Sequence, residues 1–252
     1  MHELMDLVIQ GQLVEASNGT YLCTDQASNA QYVYKPVTGE RPLWDFPSGT
    51  LTGREIAAYN ISKILEWNLV PETIWLTQGP LGPGMAQQWI VSNDNSESVN
   101  VFSPGDVPQG WIPILSAQDS LGNPLVLAHE DSEQLRRIAL FDAVINNGDR
   151  KAGHLITAQD GTIYAIDHGV CFHHENKLRT VLWGWLGTNI DLYHLDDLNN
   201  LRETLDRETE MVDMWLSTEE SQALRHRLDR LIKTEKYPAP SKEWPAIPWP
   251  VF

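Results

Sequence analysis

Cysteine is scarce in this sequence, and its 252 positions contain no long apolar run. The two cysteines, Cys23 and Cys171, are far apart and form no CxxC pattern, so we expect no disulfide framework and a reducing compartment. Without a run of about 18 apolar residues, no transmembrane helix is expected. The first six residues contain acids where a secretory signal has bases, which predicts a cytoplasmic protein.

Basic residues are also few. The chain has 18 lysines and arginines against 34 acids, which gives a formal net charge of −16. A field of this sign repels phosphate backbones and anionic lipid, so nucleic acid and membrane are disfavoured as main partners. Any bound nucleotide must therefore be held by local groups, such as a lysine, a metal ion or backbone amides.

The first part of the chain predicts strands around one helix. Apolar residues make up 42% of the sequence, enough for one compact domain or two lobes that share a cleft. The residues with strand character are Tyr21–Cys23, Gln31–Lys35 and Gln87–Val91. A helix begins at Thr52, with apolar residues at helical spacing through Leu65. The polar segment from Ser92 to Gly110 predicts a lobe boundary, which gives an N-terminal lobe of residues 1–92.

The second part, residues 93–252, predicts a more helical lobe. A helix through Ile145 ends at Asn146-Asn147-Gly148, and two short strands follow near 155–156 and 163–166. Two helical segments lie beyond Leu198. The last residues, 237–252, are rich in proline and predict an extended surface tail.

Two short motifs contain the residues best suited to chemistry. The first runs from Asn147 to His154, and the second is Ile166-Asp167-His168-Gly169. Phosphoryl transfer needs a carboxylate that orients the attacking hydroxyl and a cation that neutralises the phosphates. Asp149 is the candidate base, and His154 and Asp167 are candidate metal ligands. Taken alone, Asn147-Gly148-Asp149 also fits an ordinary turn.

A lysine on a strand and a glutamate on the next helix add to these motifs. Lys35 follows Tyr34 on a half-buried strand, where its charge requires an anionic partner. Glu55 is a candidate for that partner. Thr52-Gly53-Arg54-Glu55 also fits a helix capping box, a role that competes for the same carboxylate.

The order of these pieces resembles the phosphatidylinositol 3/4-kinase-like superfamily of atypical kinases, in particular its small bacterial members. That superfamily has an Asp-Arg-x-x-x-Asn catalytic loop and, after a hairpin, an Ile-Asp-x-Gly metal motif. Asp149-Arg150 and Ile166 to Gly169 match these motifs, and the resemblance extends over roughly residues 8 to 190. His154 stands where the family has asparagine. Imidazole favours Mn²⁺ over Mg²⁺, so the metal preference is open.

The resemblance implies an α+β, two-lobed protein-kinase-like fold, with a small β-rich N-terminal lobe and a reduced helical C-terminal lobe. It implies ATP and Mg²⁺ or Mn²⁺ as cofactors, with Asp149 as catalytic residue and His154 and Asp167 as metal ligands. The implied nucleotide-binding residues are Ser17, Asn18, Gly19, Thr20, Lys35, Glu55, Gln88, Trp89, Ile90, Val91 and Ile166. If His154 coordinates metal, activity is expected to fall below about pH 6.5, where a free imidazole is protonated.

The activity expected from these features is a protein serine/threonine kinase capable of autophosphorylation. The hydroxyl acceptor is unknown, and a small-molecule kinase, a lipid kinase and a nucleotide-binding pseudokinase are alternatives. A metal-dependent hydrolase is a further alternative, because His168, Cys171, His173 and His174 lie close in sequence, although their spacing fits no structural zinc pattern. The aromatic segment Leu182–Leu186 is either core or a platform for the acceptor.

Overall fold

The structure is a computed structural model that describes residues 6–14, 18–93 and 97–252. Strands dominate as far as residue 130, and helices dominate after it. The predicted α+β class, with strands N-terminal and helices C-terminal, is confirmed. In the described part of the chain, no helix has the length and apolar character needed to span a bilayer.

A five-stranded antiparallel sheet forms the first layer. Its strands are β1 (Leu7–Gln12), β2 (Tyr21–Asp25), β3 (Gln31–Pro36), β4 (Thr73–Gly79) and β5 (Gly82–Gln88), in the order β1-β2-β3-β5-β4. Helix α1 (Leu51–Ile64) contacts β4 and β5. The strands predicted at Tyr21 and Gln31 and the helix predicted near Thr52 are present. The strand predicted over Gln87–Val91 ends at Gln88, so Trp89, Ile90 and Val91 lie beyond it.

A second sheet, which the sequence patterns did not predict, follows the first. It consists of β6 (Val99–Phe102), β7 (Trp111–Gln118) and β8 (Pro124–Glu130), in the order β6-β8-β7. Strand β6 lies inside the polar segment that predicted a lobe boundary. The division at residue 92 remains a prediction, although it does fall between the two sheets.

The remaining elements are mainly helical. They are α2 (Glu133–Ile145), the hairpin β9 (Leu155–Thr157) and β10 (Ile163–Ala165), α3 (Leu192–Arg207), α4 (Glu210–Asp213) and α5 (Thr218–Thr234). Helix α2 is buried along most of its length and forms the centre of the larger hydrophobic core. Ser132 caps its N-terminus, and Asn146 ends it in the left-handed conformation.

The proline-rich tail lies across the loops that follow α2. The main-chain oxygen of Val251 accepts a hydrogen bond from the Ala152 amide at 2.8 Å. The main-chain oxygen of Ala246 accepts hydrogen bonds from the Thr180 amide and from the Trp183 indole N–H. The tail is therefore at the surface, as expected, but hydrogen bonds fix it to the loop after Asp149.

Candidate active site

Lys35 stands at the centre of the candidate site. Its ammonium lies 2.5 Å from Glu55 Oε1 and 2.9 Å from Asp167 Oδ1. These three residues come from β3, from α1 and from the segment after β10. A lysine on the five-stranded sheet is thus paired with a carboxylate on each of two other elements.

The capping-box interpretation of Glu55 is wrong. The carboxylate of Glu40 occupies the N-terminus of α1 instead, where it accepts hydrogen bonds from the amides of Leu51 and Thr52. It also accepts one from the Thr52 hydroxyl at 2.8 Å. Glu55 is consequently free to pair with Lys35. Its second oxygen, Oε2, accepts a hydrogen bond from the His168 amide at 2.8 Å.

The charges of this triad shift one another's pKa values. Burial lowers the pKa of Lys35, but the carboxylates of Asp167 and Glu55 outweigh burial, and the net shift is upward. Lys35 in turn lowers the pKa of Asp167 well below its usual range. Burial raises the pKa of Glu55 despite Lys35. Lys35 and Asp167 are therefore both charged at neutral pH.

His154 lies on the other side of Asp167. Its Nε2 is 3.3 Å from Asp167 Oδ2, while its Nδ1 is buried and has no hydrogen-bond partner among the described residues. Burial lowers the pKa of His154 to about 4. The imidazole is therefore neutral at pH 6.5. If His154 coordinates metal, the fall in activity expected below about pH 6.5 is now expected at a lower pH.

Two observations bear on whether this pair suits a divalent cation. Asp167 is about half exposed, with 46% of its side chain accessible, and has a left-handed backbone with φ of 61°. Such a conformation is uncommon for a residue other than glycine. The described residues contain no cluster of three or more His, Cys, Asp or Glu side chains placed to hold a metal ion. If His154 and Asp167 hold a cation, its remaining ligands would have to be oxygens from outside the described residues, such as phosphate oxygens and water.

Asp149 lies on the loop after α2. Its amide donates to Asn147 Oδ1 at 2.9 Å, and its carboxylate is 3.4 Å from Lys151 Nζ. Burial raises the pKa of Asp149, with Lys151 opposing the shift. A raised pKa strengthens a carboxylate as a general base, provided that it stays ionised.

Arg150 links helix α2 to the segment that contains Ile166 and Asp167. Its guanidinium is fully buried and contacts both Asp142 oxygens at about 3 Å. It also donates to the main-chain oxygen of Ile166 at 2.8 Å and lies 2.7 Å from His168 Nε2. Because arginine only donates, His168 Nε2 is the acceptor, and its proton is on Nδ1. Arg150 therefore fixes the position of Asp167 relative to Asp149.

Replacing Arg150 by methionine is expected to destabilise the protein by about 3–5 kcal/mol, because the Asp142 carboxylate is left buried without its counter-ion. Chemical unfolding in urea measures this loss. Arg207→Met is the matched control: its ion pair with Glu203 is exposed and 3.9 Å long, so a change below about 1 kcal/mol is expected. Equal destabilisation by the two variants would contradict the role given to Arg150.

Two cavities meet at Lys35 and Asp167. The larger, of about 410 Å³, has apolar walls from Val33, Ile90, Ile156 and Ile166. The smaller, of about 230 Å³, contains Glu55 and Asp149. Asn18, Lys35 and Asp167 line both cavities. The two spaces therefore form one cleft, with an apolar end and a charged end.

Most of the predicted nucleotide-binding residues line this cleft. The larger cavity includes Asn18, Thr20, Lys35, Gln88, Trp89, Ile90 and Ile166 of the predicted set, together with His154 and Asp167. Ser17 lies outside the described residues. The larger cavity is also lined by residues that the sequence did not indicate: Leu13, Val33, Gln87, Ser92 and Ile156.

Two predicted nucleotide-binding residues do not line either cavity. Val91 follows the end of β5 and is mostly exposed. Gly19 crosses Gly39 so closely that a Cβ on either glycine would lie 3.0 Å from the other's Cα. The Gly19 amide already donates to the Gly39 oxygen at 2.8 Å. It is therefore not available to bind a phosphate.

The other features singled out in the sequence have structural explanations. Cys171 is buried, and His173 and His174 stack at 4.4 Å, with His173 Nε2 3.1 Å from the Asp45 main-chain oxygen. In the aromatic segment, Leu182 and Trp185 are buried, which agrees with the core interpretation.

The buried imidazoles predict an acid-sensitive fold. Burial lowers the pKa of His154 to about 4 and lowers the pKa of His168 well below its usual value. The unfolded chain therefore binds protons more readily than the folded chain between about pH 6.5 and 4, so stability falls as pH falls through this range. The slope is at most about 1.4 kcal/mol per pH unit for each imidazole. Thermal unfolding at pH 7.5 and 5.0 measures the effect, and a melting temperature that does not decrease would contradict it.

Comparison with known proteins gives one relative of high identity. Over 259 aligned residues the chain is 44% identical to protein Rv2133c of Mycobacterium tuberculosis, and the alignment covers 98% of this chain and 92% of that protein. No family model matches. Among solved structures, the Helicobacter pylori proinflammatory kinase CtkA aligns with a TM-score of 0.49 and 12% identity, over 92% of this chain and 93% of that one.

Proposed function

This chain belongs to the family of the Mycobacterium tuberculosis protein Rv2133c, and we propose that it is an ATP-dependent phosphotransferase. The observation that supports this most strongly is the placement of Lys35, bound to Glu55 and Asp167, where an apolar cavity meets a charged one. A nucleotide has the same division, with an apolar base at one end and a polyanion at the other.

In this proposal the base occupies the larger cavity, between Val33 on β3 and Ile166 after β10. Trp89 and Ile90 follow the end of β5 and line the same cavity, so they would contact the edge of the base. The phosphates would pass Lys35 and enter the smaller cavity, which Asp149 lines. Lys35 would bind phosphate oxygens as a point charge, with Glu55 holding its ammonium in position.

The charges of the site support a role for a metal ion. Three positive charges lie at the smaller cavity or beside it, against four negative ones: the basic residues are Lys35, Arg41 and Lys151, and the acidic residues are Glu40, Glu55, Asp149 and Asp167. A polyphosphate entering this site is repelled unless a cation accompanies it. His154 Nε2 and Asp167 Oδ2 would hold that cation, which would neutralise charge on the phosphates. Either Mg²⁺ or Mn²⁺ meets this requirement.

Asp149 would act on the acceptor. A carboxylate with a raised pKa is suited to take the proton of a hydroxyl group as that hydroxyl attacks the terminal phosphate. Lys151, 3.4 Å from this carboxylate, would counter the negative charge that develops on the transferred group. We propose a serine or threonine hydroxyl of a protein as acceptor, this chain included, in a cytoplasmic setting.

The test of the proposed function is incubation with γ-labelled ATP and either Mn²⁺ or Mg²⁺, followed by mass spectrometry of the protein. We expect ADP release and phosphorylated serine or threonine residues on the chain. ADP release without phosphosites on protein would mean that the phosphoryl group passed to water as inorganic phosphate, which would contradict a serine or threonine acceptor on this chain. Bound ATP with neither ADP nor phosphosites would contradict transfer and indicate a nucleotide-binding module.

His154→Asn is expected to change which metal supports activity. Imidazole nitrogen favours Mn²⁺ over Mg²⁺, whereas an amide oxygen is a hard ligand that suits Mg²⁺. The ratio of Mn²⁺-supported to Mg²⁺-supported kcat should therefore fall in the variant by about threefold or more. Steady-state assays with each metal at saturation measure this ratio. An unchanged ratio, with nucleotide still bound, would remove His154 from the metal site.

A further inference from the structure

A small basic cavity lies between helix α5 and the segment that contains His174 and Asn176. It has a volume of about 300 Å³ and is lined by His174, Asn176, Ala223, His226, Arg227 and Arg230. None of these residues lines either cavity of the candidate active site. Two arginines and two imidazoles converge there, on a chain whose formal net charge is −16.

Arg227 is the buried member of this group. Its side chain leaves α5, and the residue is only 7% exposed. Its Nε donates to the main-chain oxygen of Val144 at 3.1 Å, and its Nη1 donates to that of His173 at 3.2 Å. Its Nη2 is buried and has no hydrogen-bond partner among the described residues. A buried guanidinium nitrogen without an acceptor is costly, and an anion in the adjoining cavity would supply one.

Among the described residues, Arg227 forms no ion pair. Glu220 is near enough to raise its pKa, but that carboxylate is paired with Arg54 at 2.6 Å. Burial and the nearby charge of Arg230 lower the pKa of Arg227 to about 9, so it remains charged at neutral pH. Among the described residues, the side chains of His226 and Arg230 make no hydrogen bond or ion pair, and both are exposed at the cavity's edge. Three donor groups of α5 are thus available to one ligand.

We propose that this cavity binds a phosphate group, either free inorganic phosphate or a phosphate monoester on a side chain. A phosphate presents several acceptor oxygens around one centre and two negative charges near neutral pH, which matches donors that converge from α5 and from His174 and Asn176. The site does not depend on transfer activity, because it shares no residue with the cleft at Lys35.

The proposal is tested on the full chain by following its histidine side-chain resonances while inorganic phosphate is added at constant ionic strength. We expect the resonances of His174 and His226, assigned by single His→Gln variants, to shift and saturate. The double variant His226→Gln, Arg230→Gln, which changes exposed positions only, should weaken phosphate binding at least tenfold. Lys233→Gln is the matched control, because it removes one exposed charge from the same helix outside the cavity.

Two results would overturn the proposal. One is a phosphate-dependent shift that grows without saturating, which indicates screening alone. The other is equal weakening by the control and by the double variant. A second titration with O-phosphoserine distinguishes the sources: tighter binding than inorganic phosphate assigns the site to a phosphorylated side chain, and weaker binding assigns it to the free ion. ADP affinity, measured on the same variants, should be unchanged.

Discussion

Asp149→Asn is expected to lower kcat for phosphoryl transfer by about 10²-fold or more while changing the Kd for ATP by less than about threefold. The amide has the shape of the carboxylate but cannot accept the proton of the attacking hydroxyl. Asp149 lines only the smaller cavity, away from the apolar end of the cleft, so nucleotide binding should be retained. Single-turnover transfer and calorimetric titration of ATP measure the two quantities separately.

Asp196→Asn is the matched control for this variant. It makes the same charge change on an exposed face of α3, where the carboxylate has no hydrogen bond or ion pair with a described residue, and full activity is expected. If Asp149→Asn instead weakened ATP binding and retained kcat at saturation, Asp149 would belong to the nucleotide site and not to the acceptor side.

Asp167→Asn is expected to abolish the dependence of ATP affinity on divalent metal. In the parent chain, Mn²⁺ should tighten ATP binding by at least about tenfold, because the site without metal has more negative than positive charge. The variant removes the carboxylate of the proposed cation site and also frees Lys35 from one of its two partners. ATP affinity without metal should therefore be equal to or higher than that of the parent.

The ATP affinity of Asp167→Asn without metal distinguishes the loss of a metal ligand from damage to the fold. A variant that unfolds or distorts the cleft would bind ATP more weakly under both conditions. Calorimetric titrations with Mn²⁺ and with a chelator, on the parent, Asp167→Asn and Asp196→Asn, give the full comparison. Equal metal dependence in Asp167→Asn and in the parent would remove Asp167 from the proposed role.

The parts of the site that the sequence predicted were those specified by short-range patterns. Lys35 was identifiable because a charge on a half-buried strand needs a partner, and Asp149 because it follows a helix end with a clear apolar period. The actual partner of the α1 N-terminus, Glu40, was not identifiable in this way. It lies 12 residues before Thr52, outside any local capping pattern.

Long-range features were missed for a similar reason. The contact between Arg150 and Asp142 is local, but the link to Ile166 and His168 depends on how the β9–β10 hairpin folds back. Apolar residues that line the cleft, such as Val33 and Ile156, have the same alternation in sequence as core residues. The alternation of apolar residues along a strand does not show whether a given residue lines a cavity or packs in the core.

The strands of the second sheet could not be predicted from the composition of their segments. Its β7 contains Pro113, where the register with β8 shifts between Pro113 and Leu115. Proline in a strand weakens the signal because it cannot donate a ladder hydrogen bond. The strand forms because β8 pairs with it, and that pairing is determined by the whole chain rather than by the segment.

The most direct test of the account is a crystal structure of the protein with a non-hydrolysable ATP analogue and Mn²⁺, with the metal located by its anomalous scattering. The account predicts the base between Val33 and Ile166, the phosphates beside Lys35, and an anomalous peak between His154 and Asp167. A nucleotide bound elsewhere, or Mn²⁺ bound away from both His154 and Asp167, would contradict it.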